Sequence, residues 1–405
     1  MAHSHAHSHN HGDGELVGDK VGQRMWIAVG VFGVLVLLGL VVLWPRGSDD
    51  TVDPAGLDSD PVKASVLSVR TEPCSFDALL VCKQIEIAPS EGDFAGERLE
   101  FEQSITSPID DGDRILVLID QPGDGSLFIT FYDFQRSTPM LLLVIVFVTA
   151  ILVLGRWRGL GALAGLAMSL VVIVVFMLPA LLDGSNAVAV ALVAAGVIAY
   201  LALFLAHGFN LATVTALLST LAALALTGFL AWIFVWASNF TGLADDSVGF
   251  LEALGTPIDP RGLLLAGIVI GALGVLDDVT VTQVSAVWEL KRAAPDTSMS
   301  ELYSRGIRIG RDHISSTVNT LFLAYAGAAL PLLLLFREAG ESVGSVATRE
   351  IVAVEIVRAL VGSVGLIAAV PISTALAAKV VTTTGDAHAG SPDPAAEVPD
   401  TSPAG

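Results

Sequence analysis

The sequence predicts an all-α polytopic membrane helix bundle with a small extracytoplasmic β-rich domain, a barrel or a sandwich, inserted after the first span. Three observations carry this reading. Apolar runs of the length a spanning helix needs, about 20 residues, recur along the chain. Acidic residues concentrate in one interval, with 19 Asp and Glu against 6 Lys and Arg between 47 and 138. Outside that interval, Lys and Arg gather at alternate ends of the apolar runs, as the positive-inside bias demands.

Composition excludes other classes. Of 405 residues, 53% are hydrophobic and 15% charged, with a mean hydropathy of +0.70. A soluble domain has about a quarter of its residues charged. A formal net charge of -20 without clustered Lys and Arg argues against nucleic acid as a partner. The partner that composition demands is the lipid bilayer.

Residues 1–24 begin with five alternating histidines, His3, His5, His7, His9 and His11. The stretch is too polar to fold alone and reads as a disordered cytoplasmic tail. Histidine tracts bind Zn2+, Ni2+ or Cu2+, which makes these five weak metal-ligand candidates; a flexible chelator of no consequence is the plainer reading. Residues 25–45 form the first span, with Trp26 and Trp44 suited to the two interfaces. Lys20 and Arg24 hold its start inside. Trp44-Pro45-Arg46 is not a small-residue cleavage site, so the span reads as an uncleaved anchor rather than a signal peptide.

Residues 46–138 hold the acidic domain and its linkers. Strand-like runs occupy 62–69, 85–88, 98–101, 114–119 and 127–131, separated by Pro, Gly and Asp. Five or six strands in about 75 residues make a thin core, for which a disulfide or packing on the bundle is useful. The two cysteines, Cys74 and Cys82, both fall here. Their spacing excludes a CxxC redox motif. A disulfide closing a small loop is the preferred reading if the domain lies outside the cytoplasm. A metal pair is the alternative, though no nearby histidine completes a ligand set.

Residues 139–378 hold seven further spans, at 139–155, 159–181, 187–206, 211–236, 262–284, 313–336 and 352–377. Eight spans place Arg156, Arg158, Lys291, Arg292, Arg305, Arg308, Arg311 and Lys379 inside and put both termini in the cytoplasm. Residues 379–405 read as a disordered cytoplasmic tail.

Polar residues inside those spans carry the functional signal. Asp277 and Asp278 sit in an apolar run and are followed by Thr280, Thr282 and Gln283. A carboxylate there costs about 2.5–3.5 kcal/mol on insertion scales, so it persists where it faces a bundle interior or a watery cavity. The pair lies about 22 Å into its helix, in the cytoplasmic third of the core; an early helix end, leaving both at the headgroups, is the competing reading. Neighbouring side chains diverge by about 100°, so Asp277 shares a face with Val281 and Asp278 with Thr282. Gly267 and Gly271 permit close helix approach.

Arg311, Asp312 and His313 open the seventh span, with Thr317 and Asn319 beyond them. Arg311 is expected at the depth of Asp277 and Asp278, as a coupling partner or as a brace. Glu355 and Arg358 are three apart and can neutralise each other on one face. Pro331 and Pro371 are expected to kink their spans. No P-loop, HExxH or GxSxG motif and no nucleophile–base constellation is legible, so enzyme chemistry and ATP-driven transport by this chain alone lack sequence support. Nothing names a cofactor.

The runs 271–277, 302–306, 310–325 and 355–372, with Tyr132-Asp133-Phe134-Gln135-Arg136 leading to Pro139, resemble the YibE/F family of bacterial integral membrane proteins. The likeness extends over residues 60–377, and the run 310–325 is its most specific part. The resemblance implies a membrane location with an extracytoplasmic β-rich domain, and supplies no catalytic residues. The expected function is therefore drawn from the intramembrane carboxylates: a secondary transporter or exporter of a small solute in the bacterial plasma membrane, with Asp277 or Asp278 coupling ions or protons. The alternative is a non-transporting scaffold or accessory protein whose outer domain binds a protein partner.

Overall fold

The computed structural model describes residues 19–47, 60–77, 79–121, 126–253 and 255–389. The five tail histidines and residues 390–405 lie outside the described residues. The chain divides into two compact units, Asp49–Leu154 and the remainder.

The first of these contains β1 (Val62–Pro73), β2 (Val81–Pro89), β3 (Leu99–Ser104), β4 (Arg114–Asp120) and β5 (Phe128–Phe134). They form one antiparallel sheet in the order β3-β2-β1-β4-β5. Alternation along each strand turns Ala64, Val66, Ile85, Ile87, Ile115 and Val117 onto a single buried face. β3 and β5 approach each other, so the sheet curls on itself. Among the described residues there is one sheet with one buried apolar face, not a two-sheet sandwich. A bulge between Val66 and Ser68 bends β1. β1 pairs with β4 only as far as Ser65↔Arg114, while its ladder with β2 runs on to Pro73↔Val81. The strands therefore outrun the apolar segments that mark them in sequence.

Among the described residues, seven helices are long and apolar enough to cross a membrane. These are α1 (Asp19–Val42), α2 (Ser137–Trp157), α3 (Gly159–Leu182), α4 (Ala187–His207), α5 (Leu211–Ala237), α7 (Pro260–Ala293) and α11 (Glu350–Ala389). Between them lie α6 (Asp246–Ala253), α8 (Met299–Ala328), α9 (Leu330–Glu338) and α10 (Val343–Thr348). An eighth crossing exists only if α8 and α9, bent by 57°, count as one.

Two expectations are revised here. The span 313–336 belongs to a helix that begins at Met299, capped by Ser298, and breaks at Ala329, near the bend expected at Pro331. Pro331, in the first turn of α9, has no N–H for the preceding turn, and the chain breaks there. Pro371 lies inside the 40-residue α11, which runs on without a break. That helix also continues to Ala389, well into the stretch from 379 expected to be disordered.

α7 is the hub of the helical unit and packs against α4, α5, α8 and α11. Its Val269, Leu273, Leu276, Val279, Val284 and Val287 are buried in the largest apolar cluster. Two carboxylates tie helix ends together. Asp183 accepts from the Arg46 and Gly47 amides at 2.7 and 3.3 Å, joining the ends of α1 and α3. Glu350 accepts from the Thr241 and Gly242 amides at 2.7 and 2.8 Å, joining the end of α5 to the start of α11. Gly242 has φ 78, and a Cβ there would collide with the Pro260 carbonyl oxygen, so a side chain has no room.

Candidate functional site

α7 is 34 residues long, about 51 Å, and does not end at its carboxylates. Asp277 and Asp278 are mid-helix. The helix presents two different faces, set by the 100° step between residues.

The inward face is saturated. Thr280 is buried, with its hydroxyl 2.5 Å from that of Thr220 on α5. Buried Gln283 donates from Nε2 to the Gly306 carbonyl of α8 and to Thr374 Oγ1 of α11, both at 2.7 Å. Gly306 and Gly310 let α8 come that close. A methyl at Gly306 would lie 2.7 Å from Thr374 Cγ2, and one at Gly310 would collide with Val370. Gln283, expected in a polar site, is thus a bracket between three helices.

The outward face is open. Gly267, Gly271, Gly274, Asp278 and Thr282 recur at intervals of three and four and are all exposed. The Thr282 hydroxyl returns to the Asp278 carbonyl at 2.8 Å. Asp277 lies beside this stripe, half-buried, and its Oδ1 is shielded with no hydrogen-bond partner among the described residues.

Arg311 does not reach the carboxylates: among the described residues neither Arg311 nor Asp312 makes an ion pair, and both are exposed. The reason is register. α8 docks through Leu302, Gly306 and Gly310, and Arg311, one residue on, points about 100° away. His313 is half-buried, with Nε2 shielded and unpartnered among the described residues. Thr317 bonds the His313 carbonyl at 3.0 Å, and Asn319 is exposed.

A second polar locus lies further along the α7 stripe. Arg358 Nη1 donates to Glu355 Oε1 at 2.9 Å on α11, while Arg358 Nε is buried without a partner among the described residues. This guanidinium lines a small recess with Gly271, Leu321, Tyr325 and Gly362. A methyl at Gly271 would touch the Tyr325 hydroxyl at 3.6 Å. Seven residues, about 10 Å of helix, separate Gly271 from Asp278 on the same face. Tyr325 and Gly271 escaped sequence reading as site residues. A phenol within an apolar run was the available signal for Tyr325; a glycine in a membrane helix carries none.

In the sheet unit the Cys74 and Cys82 sulfurs are 2.00 Å apart, in a disulfide. The Glu102 carboxylate lies within 4.8 Å of both sulfurs, held by the Ser75 amide and Gln84 Nε2 at 2.9 and 2.7 Å. It is the third donor that sequence inspection did not find. Sulfurs bonded to each other are not thiolate ligands, however, so the metal alternative requires the reduced form.

Together these features define a helical protein with several helices of membrane-spanning length, a small β unit, and a glycine and carboxylate stripe on its central helix. The profile of YibE/F-like protein matches residues 143–383, more than half of the chain, and the chain belongs to that family. The match takes in α7, α8 and most of α11 with every residue of the stripe and recess, and leaves the sheet outside. No curated protein and no solved structure matches the chain.

Proposed function

We propose that this chain is a multi-pass protein of the bacterial plasma membrane that moves a small solute along the open face of α7. Asp277 and Asp278 would exchange a proton or cation, and the Arg358–Tyr325 recess would hold the solute. The observation that carries this is Asp277: a half-buried carboxylate in the middle of a spanning-length helix, beside a second carboxylate, with Oδ1 shielded and unpartnered among the described residues. Such a group is expensive in hydrocarbon and is functional by default.

The proposed topology has both termini inside and the sheet unit outside. Lys20, Arg24, Lys291, Arg292 and Lys379 lie toward the helix ends opposite those tied by Asp183 and Glu350, which suits the positive-inside bias. A disulfide in the sheet unit suits an oxidising compartment. Labelling of single introduced cysteines in intact cells tests this, and a label that reached a residue near Arg305 from outside would refute it.

The saturated bonds of Gln283 and the Glu355–Arg358 pair favour a second reading, a rigid scaffold whose sheet unit binds a protein partner. The two readings separate in proteoliposomes. A thermal-shift survey of divalent metals and small anions, on protein lacking residues 1–14, supplies the solute to be tested. Asp277→Asn or Asp278→Asn should then abolish its flux while the protein remains monodisperse. Undiminished flux in both variants would end the coupling role, and no ligand-dependent shift in any condition would favour the scaffold.

A further inference from the structure

The β1–β2 hairpin ends in the disulfide loop Cys74–Cys82. Several of its polar groups are bonded locally. The Cys74 amide donates to the Leu80 carbonyl at 2.9 Å and the Leu80 amide to the Asp77 carbonyl at 3.0 Å. Asp77, the loop's one charged residue, spends Oδ1 on the Leu79 amide at 2.9 Å, and the Ser75 amide is held by Glu102 at 2.9 Å. Its apolar side chains turn outward. Phe76 is 74% exposed and Leu79 93%, with Leu80, Val81 and neighbouring Ile105 about half exposed. A water-facing loop has no use for this arrangement. Exposed apolar side chains on a loop tied by local hydrogen bonds and a disulfide suit the apolar edge of a bilayer.

Topology says which surface is within reach. β1 and β5 are both antiparallel to β4, so they run in the same direction. β5 ends at Phe134 and α2 begins at Ser137, so α2 leaves the sheet at the end toward which β1 also points. Beyond its last pairing with β4, β1 runs from Ser65 to Pro73 before the loop begins, about 25 Å of strand. Exposed carboxylates lie at both ends of the sheet, Glu91, Asp93, Glu97 and Asp120 at one and Glu72, Asp77, Asp110 and Asp111 at the other. The apolar loop and the apolar helix share the second of these ends.

We propose that this loop is an interfacial membrane anchor: Phe76, Leu79 and Leu80 insert among the headgroups and upper acyl chains of the bilayer that α2 enters. The disulfide keeps the loop folded there and the sheet unit bound to the surface at a second point. The loop has no Lys or Arg, so the anchor reads apolar depth rather than lipid charge. The inference rests on α2 entering a bilayer and is independent of transport.

The test uses the full chain in liposomes with the native disulfide closed. An environment-sensitive fluorophore is placed on Leu79→Cys and, in a separate protein, on Asp93→Cys. The Leu79 reporter should be blue-shifted and strongly quenched by lipids spin-labelled near the headgroup, and the Asp93 reporter quenched only by aqueous iodide. To exclude a fluorophore that inserts itself, a reporter on Phe76→Cys should lose its lipid quenching when Leu79→Asp and Leu80→Asp are added. Equal iodide quenching of the Leu79 and Asp93 reporters would overturn the proposal by placing the loop in water. A Leu79 reporter shielded from both quenchers would overturn it in favour of a protein surface.

Discussion

The two faces of α7 begin from similar residues and reach opposite outcomes. On one face, Thr280 and Gln283 are buried and each finds a partner on another helix. On the other, Asp278 and Thr282 share an exposed stripe with Gly267, Gly271 and Gly274, over which only Arg358 and Tyr325 come near the glycines among the described residues. Glycines differ in the same way. Gly306 and Gly310 of α8 are small because other atoms occupy the space beside them, whereas Gly274 has no atom within 4 Å of where its side chain would begin. A polar or small residue in a membrane helix is therefore a brace or a site according to what stands opposite, not according to its type.

Substitutions can break that contrast, and the largest effect falls on the closed face. Gly310→Val forces a branched side chain into Val370 and the Gln283 carboxamide, with an expected loss of about 3 kcal/mol. Thermal unfolding in detergent should show it as a clear drop in Tm. Next, Gln283→Leu removes two buried hydrogen bonds, about 1–2 kcal/mol. Thr374→Val added to it should cost less than the sum of the single changes, because the two share a bond; strict additivity would mean that the bracket is not a unit.

On the open face the sign should reverse. Asp277→Leu removes a shielded carboxyl that lacks a partner, so stability should hold or rise by about 1 kcal/mol while flux of any transported solute is lost. A destabilised Asp277→Leu protein would show that the carboxylate has a bracing partner after all.

Glu86 and Asp133 of the sheet unit sharpen the comparison because each has a partner. A hydrogen bond from Ser68 holds Glu86 below its ordinary 4.5, and one from Arg136 holds Asp133 below its ordinary 3.8. Groups depressed on folding contribute stability above their ordinary values, and that stability is lost as pH falls through the folded ones. Protection of β2 and β5 amides, relative to their intrinsic exchange at each pH, should therefore fall as pH drops below about 4. Protection that stayed constant down to pH 2 would contradict these pairings. The smallest effect belongs to Gly274→Ala, which meets no atom within 4 Å and should leave Tm unchanged within the equivalent of about 0.5 kcal/mol.

Hydropathy and charge by themselves determined the broad plan: apolar helices of spanning length, an acidic β unit between the first and second, and carboxylates in the run that became α7. These signals are local and periodic, so neighbouring residues suffice to carry them. The strand segments were legible for the same reason, up to the half of β1 that continues past β4, where both faces are exposed and alternation fades. The sequence also marked the helix breaker at Pro331, but could not tell it from Pro371, which α11 absorbs without a break. Partners were decided only by tertiary structure. Gln283 became a bracket because two glycines of α8 let a backbone carbonyl approach it. Arg311 missed the aspartates because α8 docks one residue out of phase with them, and Tyr325 entered the recess because Gly271 left it room. Each outcome depends on the rotation and register of one helix against another, set by packing summed over whole faces, and no short stretch of sequence encodes that sum.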